Sequence, residues 1–335
     1  MRTLVIQTSF LGDTILSTPL LSELAGQGPV DIVTTPAAAG VLANHPAVRS
    51  LIVYDKRGAD SGARGFLRLA RQLRSARYEQ ALLAQGSLRS SALAVAAGIP
   101  RRVGFDTSAG RVLYTARIPF REDLHHAARL WQLGAAAGAE PDEQAIIPSL
   151  YPGDAERRAV DQLLAGRHAG DVPLVALAPG SVWATKRWPF YAELARLLAA
   201  RATLVVVGGP DDAELASEVL GAAPRAIDAT GRLTLLASAG LIRRCAAIVT
   251  NDSSPLHLAS AMGTPTVAVF GPTVPQFGFG PLAPASQVVE HPALACRPCD
   301  RHGPQRCPLG HWRCMRELDA AAVAARVERI LTERA

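Results

Sequence analysis

The sequence predicts an α/β protein made of two doubly wound parallel-sheet domains that face a cleft. Three observations predict it. Short β-branched runs alternate with Ala/Leu-rich stretches of helical spacing along the chain, the pattern of strands covered by helices on both faces. The 335 residues amount to about two domains at roughly 150 residues each. The alternation breaks once, at the Pro- and acid-rich Glu140-Pro141-Asp142-Glu143-Gln144 and the stretch Pro148–Asp154, and then resumes. Domains are therefore expected over 1–150 and 151–335.

In the first series Thr3–Gln7, Val30–Thr34, Ser50–Tyr54 and Gln80–Ala84 read as buried strands. Leu16–Ala25, Ala37–Asn44, Arg64–Arg74 and Arg89–Ala97 read as the helices between them. The second series opens with a helix over Asp154–Arg167, with Asp154 as its N-cap. Strands follow at Leu174–Ala178, Thr203–Val207, Ala247–Thr250 and Thr266–Phe270, with helices at Phe190–Ala200, Asp212–Leu220, Leu233–Arg244 and Ser254–Met262. Tyr191, Leu194, Leu197 and Leu198 form one apolar stripe, and Val323, Val327, Ile330 and Leu331 form another on a last helix, Leu318–Thr332. That last helix is expected to pack back on the N-terminal domain.

Composition excludes several classes. Apolar residues are 49% and charged residues 19%, which fits a packed globular chain and not a disordered one. No apolar run approaches the roughly 18 residues that span a bilayer. The opening Met1-Arg2-Thr3-Leu4-Val5-Ile6-Gln7 lacks the apolar core of a secretion signal, so a cytoplasmic protein is expected. There the five cysteines are not a disulfide framework. The net charge of +6 favours an anionic partner. Aromatics are only 5% and no basic–aromatic platform stands out, which disfavours nucleic acid.

Four segments carry candidate chemistry, each just beyond a strand, where open α/β sheets bind ligands. After the first strand stands Gly12-Asp13. Gly12 lets a backbone approach closely, and Asp13 either caps the next helix or projects into the cleft. After Leu174–Ala178 comes Pro179-Gly180-Ser181, with Lys186-Arg187-Trp188-Pro189 beyond it. Backbone N–H groups and a mobile ammonium suit an anion; a solvated loop is the plain alternative. After Ala247–Thr250 comes Asn251-Asp252-Ser253-Ser254-Pro255-Leu256-His257. With Ser254 as N-cap and Pro255 at N1, a helix begins there with orphan N–H groups and a positive dipole end, a fit for a diphosphate. Ser253 and Ser254 add hydroxyls, and His257 lies one turn in. After Thr203–Val207 comes Gly208-Gly209-Pro210-Asp211-Asp212; an acid here either accepts from ribose hydroxyls or caps a helix.

Other signals are missing or ambiguous. There is no G-x-x-x-x-G-K-[ST], so a P-loop enzyme is not expected. Gly278-Phe279-Gly280-Pro281-Leu282-Ala283 mimics a dinucleotide motif but lies in a Pro-rich stretch without a strand before it. There is no Asp-x-Asp, so the charge of a leaving diphosphate falls to Lys186 and the helix start, with no metal. Cys296, Cys299, Cys307 and Cys314 read either as zinc ligands, the first pair having the right spacing, or as reduced thiols in a Pro/Gly-rich loop. Cys245 reads as core.

Together these residues resemble the ADP-heptose:lipopolysaccharide heptosyltransferases, a glycosyltransferase family of the two-Rossmann-domain GT-B type. The marks are Leu4-Val5-Ile6…Leu11-Gly12-Asp13…Thr18-Pro19-Leu20, then Pro179-Gly180-Ser181…Lys186-Arg187-Trp188-Pro189, then Asn251-Asp252-Ser253…His257-x-Ala259-x-Ala261-x-Gly263-x-Pro265…Phe270-Gly271-Pro272-Thr273. The Lys-Arg-Trp-Pro block and the late cysteines are closer to the heptosyltransferase II branch. Ser254-Pro255 departs from the family's usual glycine and apolar residue. The resemblance implies an inverting, metal-independent enzyme without a cofactor. Its first domain would bind the acceptor and carry the base, Asp13, beside Gly12. Its second would hold ADP-heptose, with Ser181, Lys186, Asp252, Ser253, Ser254 and His257 on diphosphate and sugar positions. Asp211 falls near the ribose and Leu233 near the adenine. The implied acceptor is the inner core of lipopolysaccharide, Kdo and heptose on lipid A, at the cytoplasmic face of the inner membrane. Arg64, Arg68, Arg71, Arg74 and Arg77 then offer a surface for anionic lipid or Kdo, although a solvated helix face explains them as well. Two other readings stay open: the same fold with another nucleotide sugar, and a non-catalytic nucleotide-sugar-binding protein.

Overall fold

The structure, a computed structural model, describes residues 1–168 and 170–334. The chain divides into two compact units, Met1–Tyr151 and Pro152–Ala335. In the first, strands β1 (Thr3–Gln7), β2 (Val30–Thr34), β3 (Ser50–Val53), β4 (Gln80–Leu82), β5 (Arg101–Phe105) and β6 (Ala116–Ile118) form one parallel sheet of order β3-β2-β1-β4-β5-β6. The helices are α1 (Leu11–Leu16), α2 (Thr18–Ala25), α3 (Pro36–Val41), α4 (Gly62–Ala76), α5 (Leu88–Ala96) and α6 (His126–Gln132). β1 and β2 are buried along their whole length, as continuous apolar runs in a covered parallel sheet should be.

The second unit repeats the plan with helix α7 (Asp154–Leu164) in front. Its strands are β7 (Leu174–Ala178), β8 (Thr203–Val206), β9 (Ile227–Asp228), β10 (Ala247–Asn251), β11 (Thr266–Phe270) and β12 (Gln287–Glu290), in the order β12-β11-β10-β7-β8-β9. Its other helices are α8 (Tyr191–Leu198), α9 (Ala213–Ala222), α10 (Leu235–Arg244), α11 (Ser254–Met262), α12 (Arg313–Arg316) and α13 (Ala320–Arg334). In both sheets the connections reverse direction between the first and fourth strands, β1/β4 and β7/β10. That reversal opens a crevice at the carboxyl ends, the position where doubly wound sheets take ligands. No described helix is long and apolar enough to cross a membrane.

Several boundaries differ from the sequence reading. The helix expected at Leu16–Ala25 is two helices, because Pro19 near the start of α2 cannot supply a backbone donor to a continuous helix. Asp154 is the first helical residue and not the cap; Gly153 caps α7, its N–H donating to Glu156 Oε2 at 2.8 Å. Ser253, not Ser254, is the N-cap of α11, which moves Pro255 to the second helical position. α10 starts two residues late because Thr234 is its cap, accepting from Ala237 N at 3.1 Å. Tyr191, Leu194 and Leu198 are buried but Leu197 is 43% exposed, since it lies off their face at 100° per residue. In α13, Val323, Val327 and Ile330 join the second core together with Trp188, Leu194 and Met315.

Candidate functional site

The densest polar cluster lies at the β7/β10 crevice of the second unit. β7 and β10 pair through Ala178 and Thr250, so the two loops beyond them start side by side. Asn251, fully buried, bolts them together. Its Nδ2 donates to Pro179 O at 2.9 Å, and its Oδ1 accepts from Trp188 N at 3.1 Å. Trp188 in turn is buried and donates through Nε1 to Leu318 O at 3.0 Å. The Lys-Arg-Trp-Pro block is thereby anchored in the core, and the short 3₁₀ turn Ala184–Lys186 before it is held at the crevice.

There Lys186 Nζ lies 2.6 Å from Asp252 Oδ2, with both side chains about one-tenth exposed, 9% and 10%. The same oxygen accepts from Thr273 Oγ1 at 2.7 Å. Lys186 is therefore a fixed charge with a partner, where the sequence alone suggests a mobile one. Beside the pair, Ser253 and Ser254 open α11, and no side chain caps it. This helix start offers N–H groups and the positive dipole end to an anion. His257 is buried on α11, its ring edge-on to Phe279 with centroids 6.2 Å apart. Ser181 is buried; its Oγ accepts from Trp183 N at 3.3 Å, and its carbonyl accepts from Arg187 Nε at 2.8 Å.

The loop after β8 separates its two acids. Asp212 turns inward: Oδ2 accepts from Gly209 N at 2.9 Å. A Cβ on Gly180 would stand 2.2 Å from its carboxylate, so any larger residue there would have to push the Asp212 side chain aside. Asp211 stays exposed at the rim. Leu233 sits elsewhere. It lines a surface pocket of about 280 Å³ with Ala159, Gln162, Leu163, Arg167 and Arg232, none of which belongs to the Lys186 cluster.

The late cysteine segment has a structural use that spacing did not disclose. It straps the Lys186 turn: Ala184 N donates to Gln305 Oε1 at 3.1 Å, Gln305 Nε2 to Val182 O at 3.0 Å, and Trp312 Nε1 to Thr185 O at 2.8 Å. Thr185 Oγ1 also donates to Pro304 O. Gly303, at φ +85°, lies against the Lys186 stem. Arg297, from the same segment, donates to Thr273 O at 3.0 Å and so steadies the residue that holds Asp252. All five cysteines are free, and among the described residues no three His, Cys, Asp or Glu side chains are grouped to hold a metal. Cys245 and Cys314 are buried in the core; desolvation raises both thiols, Cys314 to about 11.

In the first unit Asp13 lies at the matching position, beyond β1 at the β1/β4 crevice. It does not cap α1: the cap is Phe10, and Asp13 is the third helical residue. Its Oδ2 is 2.7 Å from Ser9 Oγ and its Oδ1 is 3.5 Å from His126 Nε2; the carboxylate side chain is 20% exposed. Gly12 is buried beside it. Lys56 reaches the same loop, its Nζ donating to Thr8 O at 2.7 Å. Burial, then Arg57 and Arg89, lower the Lys56 ammonium from its ordinary value. The sequence reading missed Lys56, His126, Asn251 and Thr273 as site residues. Only Asn251 and Thr273 left a trace, inside the motifs quoted above.

A family profile, glycosyltransferase family 9 (heptosyltransferase), matches residues 66–311. The chain is 31% identical over 313 residues to lipopolysaccharide heptosyltransferase 2 of Salmonella typhimurium, covering 86% of this chain and 88% of the relative. It is 30% identical over 311 residues to the Escherichia coli protein of the same name, with the same coverage. The solved structure of E. coli ADP-heptose LPS heptosyltransferase II superposes with a TM-score of 0.80 at 25% identity, covering all of both chains. A family 9 glycosyltransferase of Veillonella parvula shares the fold, with a TM-score of 0.86 at 24% identity over 99% of this chain and 97% of that one. The chain belongs to glycosyltransferase family 9, the heptosyltransferases.

Proposed function

We propose that this glycosyltransferase moves heptose from ADP-heptose to a sugar hydroxyl of the lipopolysaccharide inner core, with inversion and without a metal. The observation that carries the reading is the buried Lys186–Asp252–Thr273 cluster beside the uncapped start of α11, at the switch point of the second sheet. The donor diphosphate lies against that helix start. Asp252 stays as the partner of Lys186, so the site adds little net charge before the reaction and orients one ammonium toward the leaving group. Ser181, Ser253, Ser254 and His257 border the diphosphate and heptose, and Asp211 takes the ribose. Asp13 accepts the proton of the acceptor hydroxyl while that oxygen bonds to the anomeric carbon. The bond to the diphosphate breaks on the opposite face, and its growing charge is met by Lys186 and the α11 N–H groups.

The acceptor reading rests on the first unit. Lys56 and Arg89 lie near the Asp13 loop and its sheet, suited to Kdo carboxylates. The outer face of α4 exposes Arg64, Arg68, Arg71 and Arg74, with Arg77 at its C-cap and no acid on the helix. Such a face suits the anionic surface of the inner membrane's cytoplasmic leaflet, where each cation near the surface is worth about 1 kcal/mol. No nucleic-acid partner is proposed.

Two measurements test this. In a thermal-shift panel, ADP and ADP-heptose raise Tm more than the UDP and GDP counterparts; saturation at about 100 Kd corresponds to roughly 2.7 kcal/mol. A larger shift from UDP or GDP assigns a different donor. Asp13→Asn keeps ADP affinity while transfer falls by roughly 10²–10⁴. Turnover near that of the parent removes Asp13 from the chemistry.

A further inference from the structure

α6 brings a histidine to the Asp13 carboxylate from more than a hundred residues away. His125 caps α6, its Nδ1 accepting from Ala127 N at 3.2 Å. The helix packs on α1 and α2. This sets His126 Nε2 3.5 Å from Asp13 Oδ1, with the two side chains 15% and 20% exposed. Ser9, on the β1–α1 loop, is 2.7 Å from the other oxygen, Oδ2. One partner alone leaves a carboxylate free to turn about its Cβ–Cγ bond, a torsion with broad wells. Neighbours at both oxygens, from two separate elements, restrict that freedom.

The surroundings disfavour the imidazolium. Burial lowers its pKa below the ordinary 6.5; Arg129, one turn along α6, acts in the same direction, and Asp13 opposes them. Arg129 is itself buried and fixed, donating from Nε to Arg121 O and from its terminal nitrogen to Glu122 O, both at 2.7 Å. The only titratable residue of α2, Glu23, is half-buried. Nε2 faces Oδ1 at 3.5 Å, so a neutral ring carrying its proton on Nε2 would aim that proton at the carboxylate without forming an ion pair. It therefore orients the carboxylate while taking less of its basicity than an imidazolium would. Catalytic hydrogen bonds of this length shorten when substrate closes the site.

We propose that His126 is the positioning residue of the base: with Ser9 it fixes the Asp13 carboxylate so that one oxygen lone pair faces the acceptor hydroxyl. The inference rests on the reading of Asp13 as base. It accounts for a histidine buried against a carboxylate in the acceptor half of the protein, where the donor reading gives it no task.

The test uses the full-length enzyme with ADP-heptose and a heptose–Kdo–lipid A acceptor. His126→Leu keeps the volume and loses the donor; His126→Gln keeps a donor that does not titrate. The Leu variant is expected to lower kcat about 10–100-fold, the range of a misplaced reacting group, with ADP affinity and donor KM unchanged. The Gln variant should return to within about fivefold of the parent. In an Asp13→Asn background His126→Leu should cost nothing further, because a residue that acts through Asp13 has no separate effect to lose. Should the Leu variant not fold, His126→Met takes its place in the same cycle. Equal rates for Leu and the parent, equal losses in Leu and Gln, or losses that multiply with Asp13→Asn each overturn the proposal. If Asp13→Asn alone turns over near the parent rate, the reading of Asp13 fails first, whatever His126 does.

Discussion

Replacing Lys186 by methionine tests the cluster and its reading as a phosphate site separately. In the parent the Nζ–Oδ2 distance is 2.6 Å and both side chains are about nine-tenths covered. Removing the ammonium leaves the Asp252 carboxylate buried with only the Thr273 hydroxyl on that oxygen. Breaking one side of a buried pair costs about 3–5 kcal/mol. For a unit of this size each kcal/mol lowers Tm by roughly 2–4 °C, so the expected loss is about 6–20 °C. Three of the four tryptophans, Trp183, Trp188 and Trp312, belong to the second unit, so tryptophan fluorescence during urea unfolding reports mainly on it. The double variant Lys186→Met with Asp252→Asn buries no charge and keeps an acceptor for Thr273. It should recover most of the loss, a coupling of about 2–3 kcal/mol. ADP affinity should follow a different pattern. It falls about 10–100-fold in every variant that lacks Lys186, as for a lost charge-assisted hydrogen bond, and is not weakened in Asp252→Asn. A loss of stability under about 1 kcal/mol in Lys186→Met would refute the buried-pair argument. ADP affinity that tracks stability across the cycle would refute the phosphate assignment.

Other consequences follow from single buried groups. Asn251→Ala strands Pro179 O and Trp188 N in the core; at about 1–3 kcal/mol for each orphaned group, its urea midpoint should fall clearly, and an unchanged midpoint would mean that water replaces the amide. His45, 4% exposed against the Tyr151 ring, is pushed by burial down to about 4. Between pH 6.5 and 4 the unfolded chain binds more protons than the folded one at this site, so stability is full above pH 6.5 and declines as pH falls. The total is about 3 kcal/mol, and His45→Leu should flatten that part of the pH–stability curve measured by urea unfolding.

The long buried strands were legible because they are continuous apolar runs, and so were the glycine and serine turns beyond them. Of the outer strands β3 was legible, but β5, β6, β9 and β12 were not. β5 begins with Arg101-Arg102, and β6, β9 and β12 have three, two and four residues. A half-exposed strand that short carries neither an apolar run nor a clear alternation. The same limit applies to the site. Asp13, Lys186 and Asp252 stand next to glycine, proline and serine signals that mark strand ends. His126 stands at the head of a seven-residue helix with nothing around it to separate it from a surface histidine. Its meaning comes from packing against α1, a non-local fact.

The same reasoning explains why Lys186 was read as a mobile charge. A lysine in a Gly/Ser-rich stretch of sequence looks solvated, and its burial here depends on two distant segments. Asn251 anchors the chain on one side of the turn, the strap around Gln305 and Trp312 covers the other, and Asp252 supplies the counter-charge. An ammonium held this way loses little conformational entropy when a diphosphate arrives, so more of its interaction with the anion remains for the transition state. The strap carries four of the chain's five cysteines, yet its hydrogen bonds to the Lys186 turn come from Pro304, Gln305 and Trp312. Gln305→Ala, which cuts two of those bonds and touches no thiol, should therefore weaken ADP binding several-fold in a calorimetric titration while leaving the Lys186–Asp252 coupling measurable. Unchanged affinity would show that Asn251 and Asp252 hold the turn without the strap.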